Sequence, residues 1–272
     1  LKIALVGLGR TGKIVAKYLL EQNALSMVLC GPNSVNANKD IGEILNIRDT
    51  GIRVETSDHL EQKLLQNRPD VLIDFSYPGF LMDYIHVFEA IGINIITAVT
   101  TYEAVELEKI KNTARMGNIG IVVAPNITYG VNVLMHLAEI AAELMDGYDI
   151  EIYEEHHKQK KDSPSGTAKK LAEKLQQNLI THEEIPIHAV RAGESLSKHK
   201  VLLCGEFDRI EISHQSYSKN AFAKGAYQAA KFIAEKTGFY EMDDVFKQEK
   251  EKRRNTLVMR LADENRRTLS LA

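Results

Sequence analysis

The sequence predicts an α/β protein, a doubly wound parallel sheet followed by a second α+β domain that carries an open, mainly antiparallel sheet. Three observations carry this. Short, nearly continuous apolar runs alternate with stretches of helical spacing through the first half of the chain, a glycine-rich turn separates the first run from the first helix, and the rhythm changes after Asn126. Continuous apolar strands belong to parallel sheets covered on both faces, whereas alternating ones belong to antiparallel sheets with one wet face.

Lys2–Val6 is the first strand, and Ile14, Val15, Tyr18 and Leu19 recur behind it at helical spacing. Further strands are expected at Ser26–Leu29, Val71–Phe75, Asn94–Thr97 and Ile119–Val123, with helices around 58–67, 79–91 and 103–114 between them. Past Asn126, a helix near 131–145 leads to a strand at 147–154, a polar loop and a helix starting near Thr167. Val201–Leu203 and Arg209–Ser213 flank Gly205-Glu206-Phe207-Asp208, and Ile210 and Ile212 alternate with polar neighbours as a half-buried hairpin strand does. A helix at about 220–235 and the segment Gly238–Phe246 return to the first domain. The expected division is residues 1–126 with 219–246, residues 127–218, and a charged tail at 247–272. That tail, with only Leu257, Val258, Met259 and Leu261 as an apolar stripe, reads as a solvated helix or a frayed end.

Composition removes several classes of function. A formal charge of −3 gives no broad basic footprint for nucleic acid or an acidic membrane. No apolar run approaches the roughly 20 residues that cross a bilayer. The chain opens on a strand rather than a signal peptide, so a cytoplasmic protein is expected. Cys30 and Cys204 lie far apart without a C-x-x-C pair and read as small buried hydrophobes, not as a disulfide or zinc framework.

Gly7-Leu8-Gly9-Arg10-Thr11-Gly12 joins the first strand to the first helix. In that context glycines let a pyrophosphate approach the backbone while helix N–H groups face it. A turn required only for packing is the alternative. Its place in the first βα unit of a doubly wound sheet favours a Rossmann-type dinucleotide site, with Arg10 as a candidate phosphate contact. Roughly 20 residues on, where a carboxylate would hold the ribose hydroxyls, the chain reads Cys30-Gly31-Pro32-Asn33-Ser34, and Asn33 is the candidate contact. With no carboxylate to repel a 2′-phosphate and no arginine nearby to attract one, the reading leans to NADPH and leaves NADH open.

The most informative stretch runs from Glu154 to Ala168 and holds proton donors, fixed positive charge and a helix start. Ser165, Gly166 and Thr167 are expected to form a first helical turn, where unpaired N–H groups, two hydroxyls and the dipole bind an anion such as a carboxylate. Lys160 supplies a countercharge. His156 and His157 at a strand end point to opposite sides, one toward a pocket and one bracing it. A solvated basic loop with a simple N-cap is the plain alternative. A metal site is disfavoured by the lack of H-E-x-x-H spacing or cysteine partners.

This stretch matches E-x-H-H-x-x-K-x-D-x-P-S-G-T-A throughout and resembles the dihydrodipicolinate reductase family. The resemblance extends to Gly7–Gly12, Asp74-Phe75-Ser76, Thr100-Thr101, Ala124-Pro125-Asn126 with Tyr129-Gly130-Val131-Asn132, Arg191-Ala192-Gly193 with His199, Ile212-Ser213-His214, and Phe222-Ala223-Lys224-Gly225-Ala226. It implies hydride transfer from NADPH or NADH to a cyclic imine dicarboxylate, hydroxytetrahydrodipicolinate, giving tetrahydrodipicolinate for diaminopimelate and lysine synthesis. His156 and Lys160 match the family's proton-donor positions. His157, Lys160, Ser165, Gly166 and Thr167 match positions that hold the substrate carboxylates. The Thr100 and Ala124-Pro125-Asn126 segments match loops beside the nicotinamide, and Ser76, Val99 and Thr101 join them as cofactor-binding candidates. The resemblance also implies a homotetramer joined through the second sheet.

Two departures stand out: Tyr102 follows the paired threonines where the family usually has glycine, and Ser197 stands where it usually has glycine before Lys198-His199. Two rivals remain at this point. One is a related imine reductase or amino-acid dehydrogenase with another acidic substrate, and the other is a dinucleotide-binding sensor without turnover.

Overall fold

The computed structural model describes residues 1–272 except 146, 178, 180–183, 255 and 257–272. Leu257, Val258, Met259 and Leu261 therefore lie outside the described residues.

The larger sheet is parallel throughout. Its strands are β1 (Ile3–Val6), β2 (Leu25–Cys30), β3 (Val54–Thr56), β4 (Val71–Asp74), β5 (Asn94–Thr97), β6 (Gly120–Val123) and β11 (Gly238–Glu241), in the order β11-β6-β5-β4-β1-β2-β3. Every residue of β1, β4, β5 and β6 is buried, which is why these strands read as nearly continuous apolar runs. Helices cover both faces. On one, α1 (Arg10–Glu21) and α8 (Asn220–Ile233) place Val15, Leu19, Ala226 and Ala230 against Ile3, Leu5, Ile73 and Val122. On the other, α3 (Leu60–Asn67), α4 (Pro78–Ile91) and α5 (Ala104–Met116) place Leu64, Phe88 and Ile110 against Ala4, Leu72, Ile95 and Ile121. Truncating a side chain such as the fully buried Phe88 to alanine costs about 3–5 kcal/mol.

Strand order reverses at β1, which pairs with β2 on one side and β4 on the other. The carboxyl ends of β1 and β4 therefore flank a topological switch point, where open α/β sheets bind ligands. In this part of the chain two elements were not foreseen, α2 (Ile41–Leu45) and β3. Both are too short for periodicity to register. Asp40 holds that region together, its Oδ1 accepting from Gly42 N, Thr50 N and Thr50 Oγ1 at 2.7, 3.0 and 3.0 Å.

The smaller sheet has the order β10-β9-β7-β8, built from β7 (Asp149–His156), β8 (Ile187–Arg191), β9 (Ser197–Cys204) and β10 (Arg209–Ser216). β7, β9 and β10 pair antiparallel, while β8 adds parallel to β7. β8 went unread because none of its residues is buried, so no alternation marks it. One face is covered by α6 (Tyr129–Leu144) and α7 (Gly166–Gln176), which bring Leu134, Met135, Leu171 and Leu175 onto Ile150, Ile152, Val201 and Leu203.

Residues 242–254 are helical. Met242 and Val245 join the core of the larger sheet, and the Phe246 ring packs 5.4 Å from Tyr129 and 5.5 Å from His136 on α6. Cys30 is buried as expected, but Cys204 is half-buried at the end of β9, where strand alternation turns it away from the core. Among the described residues no helix is long and apolar enough to cross a membrane.

Candidate active site

The glycine turn is built for close approach. Gly7 has φ +93°, which favours glycine, and a Cβ there would lie 2.6 Å from the Phe75 carbonyl oxygen. A Cβ on Gly12 would lie 1.9 Å from the Gly7 carbonyl oxygen, so α1 can begin directly under the turn only with glycine. Gly9 is the N-cap of α1 and offers no side-chain cap, and the space where its Cβ would stand is open. The first-turn N–H groups of Arg10, Thr11 and Gly12 have no intrahelical partner by helix geometry, which is the condition for binding a phosphate.

Beside the turn lies a cleft of about 270 Å³ lined by Gly7, Leu8, Cys30, Gly31, Ser34, Asn36, Ser57, Ser76, Tyr77 and Phe80, among others. Ser76 is thus brought to the turn. Asn33 is not: it is exposed outside the lining, while Ser34 and Asn36 face the cleft. Nothing in Gly31-Pro32-Asn33-Ser34 fixes which way a loop residue turns, so the sequence alone does not separate Asn33 from Ser34 and Asn36. Arg10, the first residue of α1, is exposed at the turn.

Because β4, β5 and β6 run parallel to β1 in the same sheet, the segments that follow them lie along the same edge of it. Val99 is buried and its N–H reaches Thr97 Oγ1 at 3.3 Å, Thr100 and Thr101 are exposed beyond it, and Ala124 N donates to Thr97 O at 2.8 Å. Pro125 and Asn126 follow, half-buried. Tyr102 packs its ring on the core beside α4 and α5, and its hydroxyl lies 2.7 Å from Thr97 Oγ1. The larger side chain is therefore absorbed by the protein's own core. Burial and the neighbouring Asp74 and Glu106 charges push its phenol up, against the Thr97 bond.

The second half of the site grows from strand parity. β7 alternates so that Ile150, Ile152, Glu154 and His156 all face inward, and β9 does the same with His199, Val201 and Leu203. The register then sets Glu154 opposite His199, and His199 opposite His214. Glu154, with no exposed surface, is the hub of this polar row. Its Oε1 accepts from Arg191 Nη2 at 2.6 Å and from Ser165 N at 3.0 Å, and its Oε2 lies 2.7 Å from His156 Nδ1 and 3.8 Å from His199 Nε2. Burial opposes ionisation of Glu154, but His156, the Ser165 hydroxyl and backbone, and Arg191 outweigh it and hold the carboxyl far below the usual range. Burial lowers His199 to about 3, with His156, His214 and Lys160 acting in the same direction against the pull of Glu154, so its ring is neutral near pH 7.

Ser165 is the N-cap of α7, its Oγ accepting from Ala168 N at 3.2 Å and lying 3.3 Å from His199 Nε2. Thr167 Oγ1 donates to Asn126 Oδ1 at 2.5 Å, and Asn132 Nδ2 donates to the Asn126 and Thr128 carbonyls, each at 2.8 Å. The loop after β6 is thereby tied to the first turn of α7. Lys160 Nζ pairs with Asp162 Oδ1 at 2.8 Å, and Arg191 Nη2 also donates to Asp162 O at 2.7 Å. His157 is half-buried at the turn, its carbonyl accepting from Lys160 N at 3.1 Å. The arrangement offers a buried imidazole, a nearby ammonium and a helix start, which suits an anionic acceptor that must be protonated.

Glu154, Arg191 and His199 had been read only as parts of a motif. The signal that would have found them is the inward parity of Ile150, Ile152, Glu154 and His156. Glu154, His156 and His199 also have ligand atoms within 4.8 Å of one another, a metal-compatible spacing. The Arg191 guanidinium on the same carboxylate disfavours a dication there.

Two family models span this chain, dihydrodipicolinate reductase N-terminus over residues 1–127 and dihydrodipicolinate reductase C-terminus over residues 130–246. A 4-hydroxy-tetrahydrodipicolinate reductase of Methanococcus aeolicus is 35% identical over 87% of this chain and 94% of its own. One from Methanocaldococcus jannaschii is 32% identical over 90% and 97%. In fold, the chain is similar to a dipicolinate-bound dihydrodipicolinate reductase from Paenisporosarcina sp. TG-14, with a TM-score of 0.73 at 23% identity over 88% of this chain and 97% of that one. With both halves matched and close relatives aligned nearly end to end, the chain belongs to the dihydrodipicolinate reductase family.

Proposed function

We propose that the protein reduces hydroxytetrahydrodipicolinate, a cyclic imine dicarboxylate, to tetrahydrodipicolinate in the branch leading to diaminopimelate and lysine. The observation that carries this is the folding of Glu154–Ala168 into a strand end and a helix start that set His156 and Ser165 around one buried carboxylate. When bound, the reduced nicotinamide supplies the hydride. The chain's own residues do the rest. The N–H groups of Gly166 and Thr167 and the Thr167 hydroxyl hold one carboxylate, and His157 and Lys160 hold the other. His156, with Lys160, delivers the proton that the imine nitrogen needs as hydride arrives at carbon.

Gly7, Gly9, Arg10, Thr11, Gly12 and Ser76 would hold the cofactor's phosphates and ribose, and Val99, Thr100, Thr101, Ala124, Pro125 and Asn126 its nicotinamide end. The close-approach turn and the adjoining cleft fit a dinucleotide. NADPH is the favoured cofactor: the cleft lining contains Ser34, Asn36 and Ser57 and no carboxylate to repel a 2′-phosphate. Residues 1–126 with 219–246 would close on residues 127–218 about hinges near Asn126 and Ser216–Lys219, excluding water from the site. A homotetramer in the cytoplasm completes the reading, joined through the outer face of the smaller sheet, where β10 is largely exposed, with Phe207 and Tyr217 in the segments just before and after it 91% and 88% accessible.

The test is loss of reduced-nicotinamide absorbance, with substrate generated in place by a synthase from pyruvate and aspartate semialdehyde, using NADPH and NADH in parallel. Rapid oxidation that collapses in His156→Ala and Lys160→Ala is expected. Silence with both cofactors, from folded protein that still binds them, overturns the substrate and leaves an imine reductase for another acid.

A further inference from the structure

We infer that Glu154 is a positioning residue that ties the proton donor to the anion cradle, with Arg191 holding its charge in place. The inference rests on His156 being the proton donor. One carboxylate oxygen faces His156 Nδ1 at 2.7 Å, and the other takes the N–H of Ser165, the N-cap of the cradle helix, at 3.0 Å. The contact is close enough to pair charges though it is not aligned as a hydrogen bond; because a carboxylate can only accept, it favours hydrogen on the ring nitrogen beside it and leaves Nε2 for the substrate. During turnover the Nε2–H proton passes to the imine nitrogen as the cofactor's hydride forms the new C–H bond. His156 is left neutral with hydrogen on Nδ1, still facing Glu154. Glu154 thus selects the tautomer and steadies the imidazolium without giving up a proton itself.

The charge is buried, and an unpaired buried carboxylate would be costly. Arg191 Nη2 meets it at 2.6 Å, and the same nitrogen holds the Asp162 carbonyl at 2.7 Å, beside the Lys160–Asp162 pair. His199, 3.8 Å from Oε2, is neutral and adds no competing charge. The carboxylate is therefore the shared contact of His156, Ser165 and Arg191, so proton delivery and substrate anchoring share one support.

The test is Glu154→Gln, in which the retained oxygen can still accept from Ser165 while the amide presents a donor to Nδ1. The expected kcat falls at least about 100-fold with KM for the imine changed less than about threefold. Glu154→Asp is expected to recover part of that loss. The ¹⁵N spectrum of histidine-labelled protein, with the His156 signal assigned by His156→Ala, is expected to show hydrogen on Nδ1 in the parent and on Nε2 in Glu154→Gln at alkaline pH. An unchanged His156 spectrum, or a parent-like kcat in Glu154→Gln, overturns the inference. If the parent itself turns over no imine, the functional reading fails while the spectrum still decides this one. If Glu154→Gln does not fold, Glu154→Asp decides it on the same two readouts: a moved His156 signal with reduced kcat supports the inference, and no change overturns it.

Discussion

The Thr167 hydroxyl donates to Asn126 Oδ1 at 2.5 Å, joining the first turn of α7 to the loop that leaves β6. In the proposed reading this hydroxyl belongs to the carboxylate cradle and Asn126 to the nicotinamide end, so an arriving carboxylate would compete for it. A hydrogen bond to a charged group is worth about 1.5–3 kcal/mol. Thr167→Val is therefore expected to raise KM for the imine by roughly 10- to 100-fold, with a smaller effect on kcat, while Thr167→Ser stays near the parent. Steady-state kinetics of both variants decide it, and equal KM values for valine and serine would remove Thr167 from the cradle.

The glycines of the turn separate structural from binding roles. A Cβ at position 12 falls 1.9 Å from the Gly7 carbonyl oxygen, whereas one at position 9 meets nothing within 4 Å. Gly12→Ala is expected to lower the melting temperature and lose cofactor affinity together. Gly9→Ala is expected to keep the melting temperature and weaken only the cofactor, by about tenfold or more, because the added methyl stands where a pyrophosphate would approach. Thermal melts with nicotinamide fluorescence titrations measure both. A Gly9→Ala variant that binds as the parent does would move the pyrophosphate elsewhere.

The fold was legible wherever burial was complete. β1, β4, β5 and β6 are buried on both faces, so Ile3–Val6 and its counterparts announce themselves without reference to neighbours. β3 buries only Val54, and β8 buries no residue at all, so neither leaves a pattern that local reading can register. The site divides in the same way. Ser165, Gly166 and Thr167 are a local helix-start signal, but the link from Glu154 to Ser165, His199 and Arg191 spans 11, 45 and 37 positions and depends on how β7, β8 and β9 are registered. Sequence spacing cannot state register. The orientation of Asn33, outside the cleft lining, was illegible for another reason, since no neighbouring residue in the sequence dictates which way a loop side chain turns.

The Glu154, His156 and His199 trio invites a metal reading that the surrounding charge opposes. A dication at Oε2 would face the Arg191 guanidinium, already 2.6 Å from Oε1. Prolonged dialysis against a strong chelator is expected to leave both rate and melting temperature unchanged. A loss of activity restored by added zinc would show that the trio holds metal after all.

Asp74 makes the stability of the fold pH-dependent. It is fully buried at the end of β4, where Oδ1 accepts from Ser76 N and Ser76 Oγ at 2.8 and 2.5 Å while Oδ2 has no partner among the described residues. Burial, outweighing the two Ser76 bonds, raises its carboxyl from 3.8 to about 6. The folded state therefore holds the proton more tightly than the unfolded chain. The stabilisation from that proton is fully present below the unfolded value and is lost as pH rises through the folded one, at roughly 1.4 kcal/mol per pH unit across the window. Asp74→Asn keeps a carbonyl for Ser76 but cannot ionise, so its melting temperature relative to the parent is expected to climb between about pH 4 and pH 7 and then level off. The unpaired amide adds only a constant offset, which leaves the slope as the readout. A difference that stays flat across that range would mean the Asp74 carboxyl is solvated or paired in the folded protein.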